Sequence, residues 1–167
     1  PARMPDLLTH VLVVYAVTTV LTWHLEWLPA RLVPVAMAGT VIPDPVKIEL
    51  LVPAMVIDSA LGSPFSWRPI HRVGGAVVIV GLFALLFHRA DRRRVAGVAL
   101  FGALSQFPLD GLIRRANDLS PPYLYPLTWW QPPAGNFYLS SDLWPAMPAL
   151  MLAGAVWWLN HRSATIG

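Results

Sequence analysis

The chain reads as an all-α integral membrane bundle of about five transmembrane spans plus one amphipathic helix. Three observations predict this. Apolar runs fill most of the 167 residues, and 56% of the chain is hydrophobic while only 13% is charged. A soluble domain carries about 25% charged residues, so this balance, with a mean hydropathy of +0.54, points to lipid surroundings. Eight Trp fit the aromatic belts of a bilayer interface. The length suits one transmembrane domain over 1–167 and no separate soluble one.

The elements follow in order. Residues 7–25 make the first span, close to the ~20 residues a bilayer needs. His24, Glu26, Trp27, Pro29 and Arg31 close it. No basic leader beyond Arg3 and no small-residue cleavage site accompany this run, so it reads as a retained helix rather than a signal peptide. Residues 32–42 form a second span of marginal length when begun at Trp27. Its Pro34 and Gly39 are tolerable where neighbouring helices compensate. Pro43-Asp44-Pro45 ends it. Residues 46–61 mix Lys47, Glu49 and Asp58 with Ile, Leu, Val and Met, the pattern of an amphipathic helix.

Gly62-Ser63-Pro64 breaks the chain. Residues 74–87 form the third span, starting near Ile70, and residues 88–94 a short basic loop. Residues 95–113 form the fourth span, with Gln106, Pro108 and Asp110 in its last turns. Residues 114–141 are a long loop carrying two Pro-Pro pairs and Tyr123, Tyr125, Trp129, Trp130, Phe137 and Tyr138. Such a loop reads as an ordered interfacial cap. Residues 143–159 form the fifth span, with Ser140-Ser141-Asp142 as its N-cap.

Several chemistries are excluded at once. Without cysteine there is no disulfide, thiolate metal site or Cys nucleophile. Neither a GxSxG elbow nor a phosphate-binding Gly loop is present. The net charge of +3 is modest, and Arg89, Arg92, Arg93 and Arg94 supply most of the excess. That cluster suits the cytoplasmic face of a membrane better than a nucleic-acid groove, so no nucleic-acid partner is expected.

Positive-inside topology then puts the N-terminus outside the cell membrane and the C-terminus inside. His10, Asp44, His71 and Asp110 all fall on the outer face in that arrangement. These are metal-ligand types suited to Zn²⁺, Mn²⁺ or Fe, and such an ion would generate a hydroxide nucleophile from water. Each also has an ordinary reading. His10 and His71 can be interfacial or capping histidines, Asp44 a helix cap, and Asp110 a partner of Arg114 or Arg72. The residues leave both readings open.

The motifs resemble a known family. The segments Met4-Pro5-Asp6-Leu7-Leu8-Thr9-His10 and Gly39-Thr40-Val41-Ile42-Pro43-Asp44 are similar to those of membrane-bound predicted metal-dependent hydrolases, also described as LexA-binding, inner-membrane-associated hydrolases. Ile70-His71-Arg72, Gln106-Phe107-Pro108-Leu109-Asp110 and Tyr125-Pro126-Leu127-Thr128-Trp129 extend the resemblance over nearly the whole chain. Lys47-Ile48-Glu49-Leu50-Leu51-Val52-Pro53 and Tyr138-Leu139-Ser140-Ser141-Asp142 look most like haloarchaeal members. The resemblance implies a divalent metal held by His10, Asp44, His71 and Asp110. Departures are clear: Val46 stands where many members carry a second Asp, Gly74-Gly75-Ala76 where many carry a second His, and Gln106 where the family has His.

Two functions follow as expectations. The first is a membrane-embedded metal-dependent hydrolase of a phosphoester-type or lipid-linked substrate. There Gln106 would be a weak ligand or support one, and Arg72 or Arg115 would grip phosphate in a bidentate fashion. Lys47 and Glu49 would add polar contacts or simply pair at the surface. The second is a non-catalytic subunit in the lipid bilayer that packs against another membrane protein or a second copy. Small residues such as Gly97, Gly102 and Gly154 would allow close helix contacts in that role.

Overall fold

The computed structural model describes residues 5–43 and 52–166. Among these the chain is helical, with six α-helices: α1 (Pro5–His24), α2 (Val33–Val41), α3 (Ala54–Leu61), α4 (Val73–Ala84), α5 (Arg92–Asp110) and α6 (Ala146–Ile166). Short 3-10 turns, Ala30–Leu32 and Arg68–His71, precede α2 and α4. Extended pairing is limited to isolated bridges, Ile113 with Tyr138 and Leu119 with Pro133.

The five-span architecture is corrected. Only one described helix is long and apolar enough to cross a membrane, over Leu7–His24 of α1. The reasons lie in length and in the ends. The nine residues of α2 rise ~14 Å and the 12 of α4 ~18 Å, against a hydrocarbon core of about 30 Å. α5 is longer, but it opens on Arg92, Arg93 and Arg94. α6 closes through Asn160, His161 and Arg162. The apolar residues that composition assigns to spans divide instead between a core and exposed helix faces, such as Val77, Val78 and Leu82 on α4 and Leu150 and Met151 on α6. The expected amphipathic helix is described only in its second half, as α3; Lys47 and Glu49 lie outside the described residues.

α5 is the central element. It packs against α2 and α4, while α1 packs against α2 and α6. One core cluster gathers Val14, Leu28, Leu32, Ala36, Val95 and Val98. A second gathers Ile42, Ala76, Val80, Ala99, Ala103, Phe107 and Tyr123. The short basic loop is a real turn with a physical clasp: the Arg92 guanidinium donates to the carbonyls of Phe87 and Leu85 at 3.0 and 3.1 Å. It thereby satisfies carbonyls that the end of α4 leaves open.

The α2–α5 contact is a backbone-to-backbone approach. A Cβ placed on Gly102 would lie 2.0 Å from the Ala36 carbonyl oxygen, and one on Gly39 would lie 2.2 Å from that of Ala99. Gly97 and Gly154, read from sequence as further small-residue faces, have open space at the same position. This contrast makes a direct prediction. Gly102→Ala forces α2 and α5 apart and lowers stability by about 1–3 kcal/mol, whereas Gly97→Ala is neutral or stabilising by up to about 1 kcal/mol from helix propensity. Urea unfolding of the two variants beside the wild type checks this, and equal midpoints would refute the close-contact argument.

Candidate functional site

Three elements far apart in sequence bring polar side chains to one point. His10 lies near the start of α1, Asp110 is the last residue of α5, and His71 ends the Arg68–His71 turn. The turn can lie back on α4 because Gly75 has no Cβ; one there would meet the Pro69 carbonyl oxygen at 2.4 Å. Asp110 is buried and so is His10, whereas the His71 side chain keeps 20% of its surface exposed. The Asp110 carboxylate is shared. Oδ1 lies 3.2 Å from His10 Nε2, and Oδ2 lies 2.8 Å from His71 Nε2.

The second nitrogen of His71 is also engaged, with Nδ1 2.9 Å from the Pro43 carbonyl oxygen. A carbonyl only accepts, so Nδ1 is the donor. A ring that also donates from Nε2 to a carboxylate is an imidazolium, which makes this a charge-assisted contact. Burial works against the Asp110 anion. The hydrogen bonds from His10 and His71 and their positive charge outweigh it, holding the carboxyl below its ordinary value. The Asp110 partners are therefore two histidines, not Arg114 or Arg72. Gln106, one turn earlier on α5, is buried beside this group.

The metal centre is corrected as well. Among the described residues no group of three or more His, Cys, Asp or Glu side chains is disposed to hold a metal ion. The donors are turned on one another: both Asp110 oxygens face imidazoles, and His71 Nδ1 is committed to a main-chain carbonyl. Asp44 lies outside the described residues, as do Lys47 and Glu49.

The exposed side of His71 opens into a pocket of about 430 Å³ that Arg68, Arg72, Arg115, Asn117 and Gln131 also line. Arg72 is held there by aromatic faces, its guanidinium carbon 4.7 Å from the centre of the Tyr125 ring and 5.6 Å from that of Trp129. The long loop supplies most of the remaining wall and is tied down through its backbone. Val73 and Gly74 donate to the carbonyls of Tyr123 and Tyr125, and Arg114 donates to that of Tyr138. Tyr138 Oη donates to the Leu109 carbonyl at 3.0 Å, beside Asp110.

Phe107 stands edge-on to His71 at 5.9 Å between ring centres and 5.1 Å from Tyr123. Arg72 and Arg115 were legible as candidates. Arg68, Tyr123 and Phe107 were not, because an arginine in a Trp-Arg-Pro turn and aromatics in a Pro-rich loop also fit interfacial anchoring. Asp142 belongs to a turn rather than to a helix cap: its Oδ2 accepts from Leu139 N at 2.8 Å, and α6 begins only at Ala146.

Comparison with protein-family models, curated proteins and solved structures finds no match for this chain.

The shared carboxylate predicts an acid-sensitive fold. Because its folded-state pKa is lowered, Asp110 contributes stability above the ordinary carboxylate value of about 3.9, and that contribution fades as the pH falls through the lower folded value. Asp110→Asn leaves two imidazoles facing an amide and costs about 3–5 kcal/mol near neutral pH. It also flattens the acid limb of stability against pH. Urea midpoints across the acid range test this; an unchanged acid limb would show that Asp110 is not the responsible group.

Proposed function

We propose that the protein cleaves a phosphate ester with water, its phosphoryl group held by Arg68, Arg72 and Arg115 and its leaving oxygen protonated by His71. The observation that carries this reading is the position of His71. It lies between a buried carboxylate, 2.8 Å away, and a pocket walled by three arginines. Arginine forks match phosphoryl oxygens in a bidentate geometry, and their charge offsets what develops on those oxygens in the transition state.

The division of roles follows from the two ring nitrogens. Asp110 holds Nε2, orients the ring and balances its charge, as a carboxylate does for a catalytic imidazole elsewhere. Nδ1 carries the proton that can be given away, and it rests on the Pro43 carbonyl. As the ester P–O bond breaks, the leaving oxygen takes that proton. A water oxygen bonds to phosphorus, and the proton it gives up returns to the vacated His71 Nδ1, so the products are an alcohol and inorganic phosphate and the imidazolium is restored. His10 acts through Asp110 and is a positioning residue.

The test is hydrolysis of p-nitrophenyl phosphate by the purified protein, with inorganic phosphate as a competing ligand. His71→Gln should lower kcat by about 10²–10⁴-fold, the usual size of a general-acid contribution. Arg115→Ala and Arg68→Ala should raise KM about tenfold with a smaller change in kcat. Full activity in His71→Gln, or no inhibition of the wild type by millimolar phosphate, would overturn the assignment.

A further inference from the structure

The arginine pocket carries more charge than a single phosphoryl group balances. Arg68, Arg72 and Arg115 line it, and among the described residues no Asp or Glu does. None of the three is ion-paired with a described carboxylate. The remaining cation, His71, already faces Asp110. A phosphate monoester brings only ~1.5–2 negative charges at neutral pH. Donors are in excess as well. Three guanidinium groups offer about fifteen N–H donors, more than the terminal oxygens of one phosphoryl group accept.

The pocket must also take the whole ligand. Its volume of about 430 Å³ falls within the ~300–1,000 Å³ range of small-molecule sites. A neighbouring apolar cavity, of about 440 Å³ beside Leu104, Phe107 and Leu124, shares no lining residue with it. The loop wall between them is closed by backbone hydrogen bonds, Ser120 N to the Pro132 carbonyl and Ala134 N to the Asp118 carbonyl, each at 2.8 Å. The alcohol part of the ligand is therefore confined with the arginines.

The three arginines differ in how they are held. Arg72 lies against the Tyr125 and Trp129 rings. The Arg115 side chain is hydrogen-bonded to the Tyr123 phenol, which is bonded in turn to Ser120, and its main-chain N–H donates to Asn136 Oδ1 at 3.0 Å. Both are set in place before a ligand arrives. Arg68 is exposed and opens the 3-10 turn that His71 closes. In such a turn, residues three apart lie in line, ~6 Å along the axis. Arg68 therefore stands on the same edge as His71, one turn further out. The amides of Asn117 and Gln131 add donors to the same wall.

Resting on the phosphate-ester reading above, we infer that the substrate is a small bisphosphate, whose released alcohol carries a second phosphoryl group. The reacting phosphoryl group lies among His71, Arg72 and Arg115. Arg68 reaches both groups, and Asn117 and Gln131 join it on the second. The bond broken is the same ester P–O bond, so the products are inorganic phosphate and an alcohol monophosphate. A neutral alcohol would set no acceptor against the donors beyond the reacting group.

The experiment is calorimetric titration with methylphosphonate and with methylene-, ethylene- and propylene-bisphosphonate, whose P–C bonds resist hydrolysis. In the wild type the best-fitting bisphosphonate should bind at least about tenfold tighter than methylphosphonate, the size of one charge-assisted hydrogen bond or more. Arg115→Ala should weaken both ligands and keep that advantage. Arg68→Ala should weaken both and cut the advantage below about threefold. Thermal melts establish that each variant is folded.

Bisphosphonates that bind no tighter than methylphosphonate overturn the bisphosphate and spare the phosphate-ester reading. An advantage that falls equally in both variants, or persists in both, reflects diffuse charge attraction and overturns the second phosphoryl position at Arg68. Failure of the wild type to bind methylphosphonate or inorganic phosphate at all overturns both readings.

Discussion

Everything around the site depends on one buried carboxylate shared by two imidazoles. A buried anion is several kcal/mol unfavourable unless its lone pairs are met. Here each oxygen of Asp110 faces a ring nitrogen, at 3.2 Å from His10 and 2.8 Å from His71. The consequence is positional as much as energetic. The start of α1, the turn before α4 and the end of α5 are held at one point. Loss of either histidine leaves part of the carboxylate unmatched in a poorly hydrated place. The ionic cluster therefore specifies how three separate elements meet, while apolar packing supplies the bulk of the cohesion.

That meeting requires the helices to be close enough for short side chains to reach. Gly39 and Gly102 let α2 and α5 touch along their backbones, each over the other's carbonyl. This approach brings the end of α2, with the Pro43 carbonyl, toward the end of α5. Gly75 does the same for the turn that carries His71. Apolar contacts such as Ala36, Ala99 and Ala103, all completely buried, are small for the same reason. The polar geometry is thus a product of steric choices made on the opposite faces of the helices.

These facts explain what was legible in the sequence. Asp110 stood out because it is a lone charge after an apolar run, and His10 and His71 because similar runs begin near them. Their grouping at one end follows from connectivity alone. Most helix positions were readable to within a few residues, since Pro43, the 62–64 break and the arginines that open α5 interrupt the runs, whereas α6 continues beyond the expected end to Ile166. The spans were not readable. Hydropathy counts apolar residues without saying how many lie in one continuous helix, and α2 and α4 stop after nine and 12 residues. The partners of Asp110 were not readable either. Local spacing favours an arginine four residues away, whereas the histidines arrive through tertiary contacts that no local rule encodes. Arg68, Tyr123 and Ser120 gain meaning only once the loop is folded onto α4 and α5.

The loop does more than cover the site. By pairing its backbone groups across 118–120 and 132–134, it makes a thin partition with no open peptide ladder at those bonds. Such a wall can present charge on one side and hydrocarbon on the other. Tyr123 is the residue that feels both. Burial and the Asp110 charge push its phenol above the ordinary value, while Arg115 and Ser120 act in the opposite sense. The phenol therefore stays protonated and its O–H remains a donor, with the Phe107 ring centre 5.1 Å from that of Tyr123 and 5.9 Å from that of His71. A neutral donor at the boundary between an arginine pocket and an apolar cavity can donate to an oxygen acceptor without adding a charge to the apolar side.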